Sequence, residues 1–365
     1  MAKIFDELVD IPTLQSGGIS MLDQVGRSCE DKFRALSGLI GNTPMLRINA
    51  RCDGQDVTVY AKAEMYNFSG SIKDRMALSI LQNATRSGAL KPGQRIAEAT
   101  SGNAGIAMAA LGTALGHPVT IFMPDWMSME RRAILASHGA DVRLVSKEEG
   151  GFLGSIALAE KMGETEGAFL PRQFSNEDNC NAHCAGTAPE IWRQVQSDGA
   201  NLGGFAAGVG TGGTIMGVSR YLKQMDASIS CHPVEPVESP TLSTGYKVGH
   251  HRIQGVSDEF IPEIVKLDQI DDIIDVNDGD AILMAQKLSR VFGLGVGISS
   301  GGNLVAAIRL ALMQEPDADG NRKAIATVFC DSNAKYLSTD LAKEEPCRDC
   351  YLTPQVELLE MQTIR

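Results

Sequence analysis

Apolar positions follow two alternating rhythms along this chain. Short apolar runs of strand length lie at residues 57–65, 95–99, 119–123, 141–145, 205–209, 229–234 and 324–329. Between them, apolar residues recur at helical spacing over 104–115, 128–137, 152–162, 185–196, 213–223, 280–292 and 303–313. A further helical pattern opens at Lys73 and runs through Met76, Ala77, Ile80, Leu81 and Ala84. The alternation predicts an α/β fold with parallel sheets flanked by helices, because parallel strands need a long crossover and a packed helix is the compact one. Ligands of such folds belong at the carboxyl ends of the strands. The alternation weakens over 170–181 and again over 238–278, so the chain reads as two lobes with a cleft between two sheets. The expected divisions are a lead segment at 1–45 packing on the large lobe, a smaller mobile lobe at 46–175, the large lobe at 176–342 and a tail at 343–365.

Composition narrows the partners. The 365 residues suffice for two lobes, and 43% hydrophobic with 21% charged residues is a globular balance. A net charge of −12 argues against nucleic acid or an anionic membrane surface as partner. No apolar run approaches the roughly 20 residues of a membrane span. The opening residues 1–7 are too acidic for a signal peptide, so a cytoplasmic protein is expected. Eight cysteines show no secreted disulfide framework. Cys347 and Cys350 have metal or redox spacing, and Cys180, His183 and Cys184 could add soft ligands. The expectation is reduced thiols and no metal.

Four strand-to-helix turns carry the chemistry. At the first, Lys73 can be partly desolvated and its pKa lowered enough to form a Schiff base. The plainer alternative is a surface lysine paired with Asp74 or Glu64. The turn at 208–214 satisfies GxGxxG through Gly208, Gly210 and Gly213, and Glu235 follows where a dinucleotide site places its ribose-binding acid. A nicotinamide oxidoreductase is therefore formally allowed. Against it, Thr211 and Thr214 suit the oxygens of a monophosphate ester at a helix N-terminus, and the turn lies in the second half of the chain. The turn at 98–105 offers Thr100, Ser101 and backbone N–H groups to a carboxylate, with Asn103 able to act on a ring hydroxyl. Capping alone would also explain Ser101 or Asn103. The turn at 295–302 brings serine hydroxyls towards the same cleft.

An amine for a Schiff base, a monophosphate cradle, a carboxylate cradle and a hydroxyl for a ring nitrogen together describe pyridoxal phosphate holding an amino acid. With Ser71-Ile72-Lys73-Asp74-Arg75, Thr100-Ser101-Gly102-Asn103, Gln173-Phe174-Ser175-Asn176, the 210–214 turn and Gly297-Ile298-Ser299-Ser300-Gly301 in that order, the chain resembles the cysteine synthase and cystathionine β-synthase family. The resemblance runs from Leu39 to Thr339, about four-fifths of the chain. It implies the two-lobed, tryptophan-synthase-β-like architecture of fold-type II pyridoxal phosphate enzymes, with a substrate-binding small lobe, a cofactor-binding large lobe and a homodimer. Lys73 would form the internal aldimine and shuttle the Cα proton. Asn103 would bond the cofactor's 3′ oxygen, Gly210, Thr211, Gly212, Gly213 and Thr214 would hold its phosphate, and Ser299 would face the pyridine nitrogen. Thr100, Ser101 and Gln173 would bind the substrate carboxylate. The implied reaction is β-replacement through an α-aminoacrylate: sulfide added to an O-activated serine gives L-cysteine. The alternative within the same chemistry starts from L-cysteine and releases hydrogen sulfide, with serine, lanthionine or cystathionine as product.

The chain departs from the family pattern in places. Phe68 and Ser69 stand where Pro-Gly or Pro-Ser is common, and Ala104 replaces a threonine beside the substrate carboxylate. Asp258 and Glu259 occupy a stretch that is usually small and neutral in sulfide-using synthases. Either could be a base for an incoming thiol or water. The segment 330–335 also lacks the usual glycine.

Overall fold

The computed structural model describes residues 28–100, 102–256, 259–316 and 322–365. In chain order its first part comprises α1 (Cys29–Ser37), β1 (Met45–Cys52), β2 (Gln55–Ala63), α2 (Lys73–Ser87), β3 (Ile96–Ala99), α3 (Asn103–Leu115), β4 (Val119–Pro124), α4 (Met129–Ser137), β5 (Asp141–Val145) and α5 (Gly151–Glu166). There follow α6 (Glu177–Ala182), α7 (Ala188–Ser197), β6 (Leu202–Gly208), α8 (Gly213–Met225), β7 (Ser230–Pro236), α9 (Thr241–Thr244) and β8 (Ile274–Val276). The last are α10 (Asp278–Phe292), α11 (Ile298–Met313), β9 (Ala324–Phe329) and β10 (Val356–Ile364).

Two sheets divide these strands. The larger has the order β10-β1-β2-β9-β6-β7-β8, parallel from β2 to β8. The smaller is β3-β4-β5, also parallel. Strands β4 and β9 are buried along their whole length, the continuous apolar reading of strands covered on both faces. Apolar residues of α10 and α11 pack on one face of the larger sheet, and those of α7 and α8 on the other.

The structure corrects the expected divisions. Strands β1 and β2, assigned by sequence to the smaller lobe from residue 46, belong to the larger sheet. They form a hairpin closed by Asp53 (φ 49°) and Gly54 (φ 76°), the two-residue turn with both φ positive that matches strand twist. Its second strand then pairs parallel with β9. The described part of the lead segment packs on both lobes: Phe33, Leu36 and Ile40 share a core with Met76, Ile80 and Leu111 of the smaller one, while Asn42 and Thr43 bond to Glu190 and Gln194 of α7 on the larger. The tail is not merely appended either, since β10 pairs antiparallel with β1 from Met45↔Ile364 to Cys52↔Val356. The first residues of the expected helix at 185–196 fall in a π-helical turn, His183–Thr187, that links α6 to α7. Among the described residues no helix is long and apolar enough to cross a membrane.

Candidate active site

Lys73 begins α2 where the two sheets meet. Ile72 N–H donates to Cys330 O at 3.0 Å, and Ser71 bridges to Asp331, which fastens this turn to the end of β9. The acids that a surface lysine would pair with are engaged elsewhere. Glu64 accepts from Arg75 Nε at 2.6 Å and Nη2 at 2.7 Å, and Asp74 accepts from the backbone and hydroxyl of Ser69, the backbone N–H at 2.6 Å. Lys73 instead lines a narrow cavity between the sheets, half-buried itself.

The opposite wall is the turn from β6 into α8. A Cβ on Gly210 would stand 2.2 Å from Gly255 O, and one on Gly213 would stand 1.9 Å from Asn179 Oδ1. The glycines thus let the 254–256 segment and Asn179 close against the turn, where any side chain would clash. Gly210, Thr211 and Thr214 line the cavity, whereas Gly212 (φ 88°) and Gly213 shape the turn behind it. Asn179 Nδ2 donates to Thr211 Oγ1 at 2.9 Å. His183 Nε2 lies 3.4 Å from Thr214 Oγ1, and its Nδ1 lies 2.9 Å from Thr187 Oγ1. Complete burial, with Lys73 and Arg75 nearby, drives the His183 pKa well below the usual histidine value, so the ring is neutral. His183 and Asn179 therefore support the threonines. Nothing in the sequence marked Asn179, and His183 was noticed only for its spacing from two cysteines.

The remaining walls bring together the other expected residues. Thr100, Asn103 and Gln173 line the cavity from the smaller sheet, and Ser299, at the start of α11, from the larger. Gln173 Nε2 donates to Ala99 O at 2.8 Å. Asn103 Nδ2 donates to Asp331 Oδ2 at 2.7 Å. Gly102 lies against the buried Arg131, whose Cδ a Cβ there would approach to 2.5 Å. Cys330 sits beside Ser299, its thiol pushed up to about 11 by burial. Phe152 and Phe174, in edge-to-face contact at 5.8 Å, supply an apolar side. Arg131, Phe152, Asp331 and Cys330 were not selected from sequence as site residues, since each is distant in the chain and carries no local motif.

Ser101 and Asp258 lie outside the described residues. Glu259 does not line the Lys73 cavity. It pairs with Lys247 at 3.0 Å in an adjoining cavity of about 590 Å³, which shares Phe152, Gln254, Gly255 and Val256 with the first. The ion pair draws it outward. Glu235, the acid a nicotinamide ribose would need, is buried and accepts the backbone N–H groups of Leu242 at 2.7 Å and Ser243 at 3.2 Å. Of the four cysteines with metal or redox spacing, Cys347 and Cys350 are exposed on the tail, Cys180 is buried and Cys184 is half-buried. Among the described residues no group of three or more His, Cys, Asp or Glu side chains could hold a metal ion.

A lysine amine facing two hydroxyls at a helix N-terminus, with an amide and a serine between, fits a phosphorylated pyridine aldehyde. The two threonine hydroxyls and the N-terminus of α8 on one wall of the cavity suit its phosphate. The class so defined is that of pyridoxal phosphate enzymes with a two-sheet α/β fold. The chain belongs to the pyridoxal-phosphate dependent enzyme family, which matches residues 36–331, and within it to the cysteine synthase relatives. It is 42% identical to a probable cysteine synthase of Bacillus subtilis (strain 168) over 304 residues, 83% of this chain and 96% of that protein. Among solved structures it resembles a hydrogen sulfide-producing enzyme of Fusobacterium nucleatum, with 48% identity, a TM-score of 0.87, and coverage of 92% of this chain and 99% of that one. An aspartate-to-asparagine variant of that enzyme has been solved with an α-aminoacrylate intermediate. A cysteine synthase of Entamoeba histolytica is 35% identical with a TM-score of 0.76, covering 91% of this chain and 96% of that one. These relatives set aside the nicotinamide reading.

Proposed function

We propose that this enzyme performs β-replacement on an O-activated L-serine with sulfide, forming L-cysteine. One observation carries the reading: a single cavity gathers Lys73, Asn103, Thr211, Thr214 and Ser299 from both sheets. Bound there, pyridoxal 5′-phosphate supplies an electron sink at the α-carbon of an amino acid. Thr211, Thr214 and the first N–H groups of α8 would hold the phosphate, and Asn103 would donate to the ring oxygen. The Lys73 amine would sit at the cofactor's aldehyde end and is placed to take up and return a proton at the substrate's α-carbon. Ser299 would offer the ring nitrogen a neutral hydroxyl rather than a carboxylate, and a neutral partner there would make the ring a weaker electron sink. Thr100, Ser101 and Gln173 receive the substrate carboxylate, while Phe152 and Phe174 keep water from that side.

A second reading, release of hydrogen sulfide from L-cysteine, is favoured by the 48% identity to the Fusobacterium enzyme and by the acids at 258–259. In that reading Asp258 is the base for the incoming nucleophile, because Glu259 is held by Lys247. In either case the working form is a cytoplasmic homodimer acting on a small amino acid. Purified holo-protein given O-acetylserine plus sulfide, and separately L-cysteine alone, separates the readings. Cysteine formation at least tenfold faster than sulfide release supports the first, and the reverse order selects the second. Neither product, from a protein with no visible cofactor absorbance, sinks both.

A further inference from the structure

Lys335 follows β9 on the larger sheet, yet its side chain reaches across to the smaller one and is only 4% exposed. An ammonium has three N–H donors and no acceptor. Here the three find three oxygens: Asn103 Oδ1 at 2.9 Å, Gly70 O at 3.1 Å and Ser69 O at 3.4 Å. Its own carbonyl accepts from Ser128 Oγ at 3.1 Å, just before α4. The two turn carbonyls anchor the cation, and the third donor dictates the state of Asn103.

An asparagine amide can sit either way round, and the partners decide which. Lys335 can only donate, so the oxygen must face it. Asp331 Oδ2, 2.7 Å away, accepts from Nδ2 on the other side. Tyr336 OH donates to the same Oδ2 at 2.9 Å and in turn accepts from Arg131 Nη2 at 2.9 Å, which fixes the carboxylate as an acceptor. Asp331 Oδ1 has no hydrogen-bond partner among the described residues although the residue is fully buried, so within them this carboxylate is aligned but not saturated. With Oδ1 of Asn103 on Lys335 and one N–H on Asp331, the second N–H of the same nitrogen remains for a ligand in the cavity that Asn103 lines.

We propose that Lys335 is a positioning residue: it locks the Asn103 amide with its N–H, not its oxygen, towards the cofactor's ring oxygen. The inference rests on the cofactor assignment above. The charged groups around it are Asp331, Asp74 and Arg131; burial, with Arg131 adding to it, lowers the Lys335 pKa, while the two acids oppose that.

The test is cofactor binding by apo-protein, not turnover. Pyridoxal phosphate is titrated into wild type, K335M, K335R, N103A and the K335M/N103A double variant, and affinity and visible absorbance are read. K335M is expected to bind at least tenfold more weakly with a displaced absorbance band, and K335R, which keeps a donor-only cation, to recover most of the loss. On the N103A background K335M should add less than twofold, because its effect passes through that amide. A lysine needed only for stability would lower the melting temperature in both backgrounds without moving the band. Binding by K335M within twofold of wild type, or full additivity of the two losses, overturns the proposal. If K335M does not accumulate folded, K335Q takes its place in the same cycle under the same thresholds. A wild-type protein that binds no cofactor defeats the underlying assignment, a failure distinct from that of K335M alone.

Discussion

Gly210 and Gly255 approach so closely that a Cβ on the first would stand 2.2 Å from the carbonyl oxygen of the second. The obstacle is backbone, so no rotamer change relieves it, and the 254–256 segment that closes the cavity would have to move. G210A should therefore weaken cofactor affinity at least tenfold, a loss of about 1.4 kcal/mol or more. Titration of the apo-protein with pyridoxal phosphate checks this, with circular dichroism to show the fold retained. Wild-type affinity in G210A would mean that the loop is looser than its geometry.

Beneath Lys73 a buried charge network fixes the start of α2. Arg75 holds Glu64 and, at 2.8 Å, Glu190, which also takes Lys62 at 2.7 Å; the side chains of Lys62 and Glu64 are fully buried. The neighbouring cations hold the Glu190 carboxyl down to about 2 despite its burial. Removing one partner leaves buried charge uncompensated, which costs about 3–5 kcal/mol. R75M should lose that much in urea unfolding monitored by fluorescence, whereas R51A, which breaks the exposed pair with Asp56, should leave the curve unchanged. Equal curves for R75M and wild type would contradict the network's role.

Much of this was legible before the structure, for a reason that differs by element. Strands such as β4 and β9 announce themselves because both faces are buried, and α8 and α11 because a glycine-rich turn precedes each. Edge elements are quieter. In β10 the burial alternates irregularly and its partner β1 lies more than 300 residues away, so nothing local marks it as a strand. The β1–β2 hairpin did carry a signal, Asp53-Gly54, that an emphasis on parallel pairing passed over. At the site, the residues on the glycine turns that line the cavity were readable because each turn is marked within its own segment. Lys335, Asp331 and His183 act on residues far away in sequence, a relationship that only folding creates.

Glu98, at the end of β3, ties together the cavity wall that carries Thr100 and Gln173 by accepting from Ala99 N at 2.9 Å and Gln173 N at 3.4 Å. Burial raises its carboxyl from 4.5 to about 7. Between those values the folded protein binds a proton that the unfolded chain has released, so this group's contribution to stability falls as pH rises from about 4.5 to about 7 and is constant outside that window. The full span corresponds to about 3 kcal/mol. E98Q should flatten that part of the stability–pH curve, measured by denaturant unfolding at pH 5, 6, 7 and 8. A slope identical in E98Q and wild type would assign the pH dependence to other groups.

Glu259 is occupied by Lys247 in the outer cavity, which leaves Asp258 as the acid of that pair to test as a base. Its neighbour by two positions, Val256, lines the Lys73 cavity, so the chain passes the site immediately before residue 258. A positioned base contributes about 10²–10⁴-fold to the step it serves. With Lys73 proposed to take the Cα proton, D258N should release a first equivalent of leaving group at a near-normal rate and then turn over at least a hundredfold more slowly. E259Q, which breaks an ion pair rather than a proton path, should stay within threefold of wild type. Rapid-quench measurement of the leaving group, followed by steady-state product formation, resolves the two phases. A D258N enzyme with normal steady-state turnover, or an E259Q enzyme with the hundredfold loss, would move the base away from Asp258.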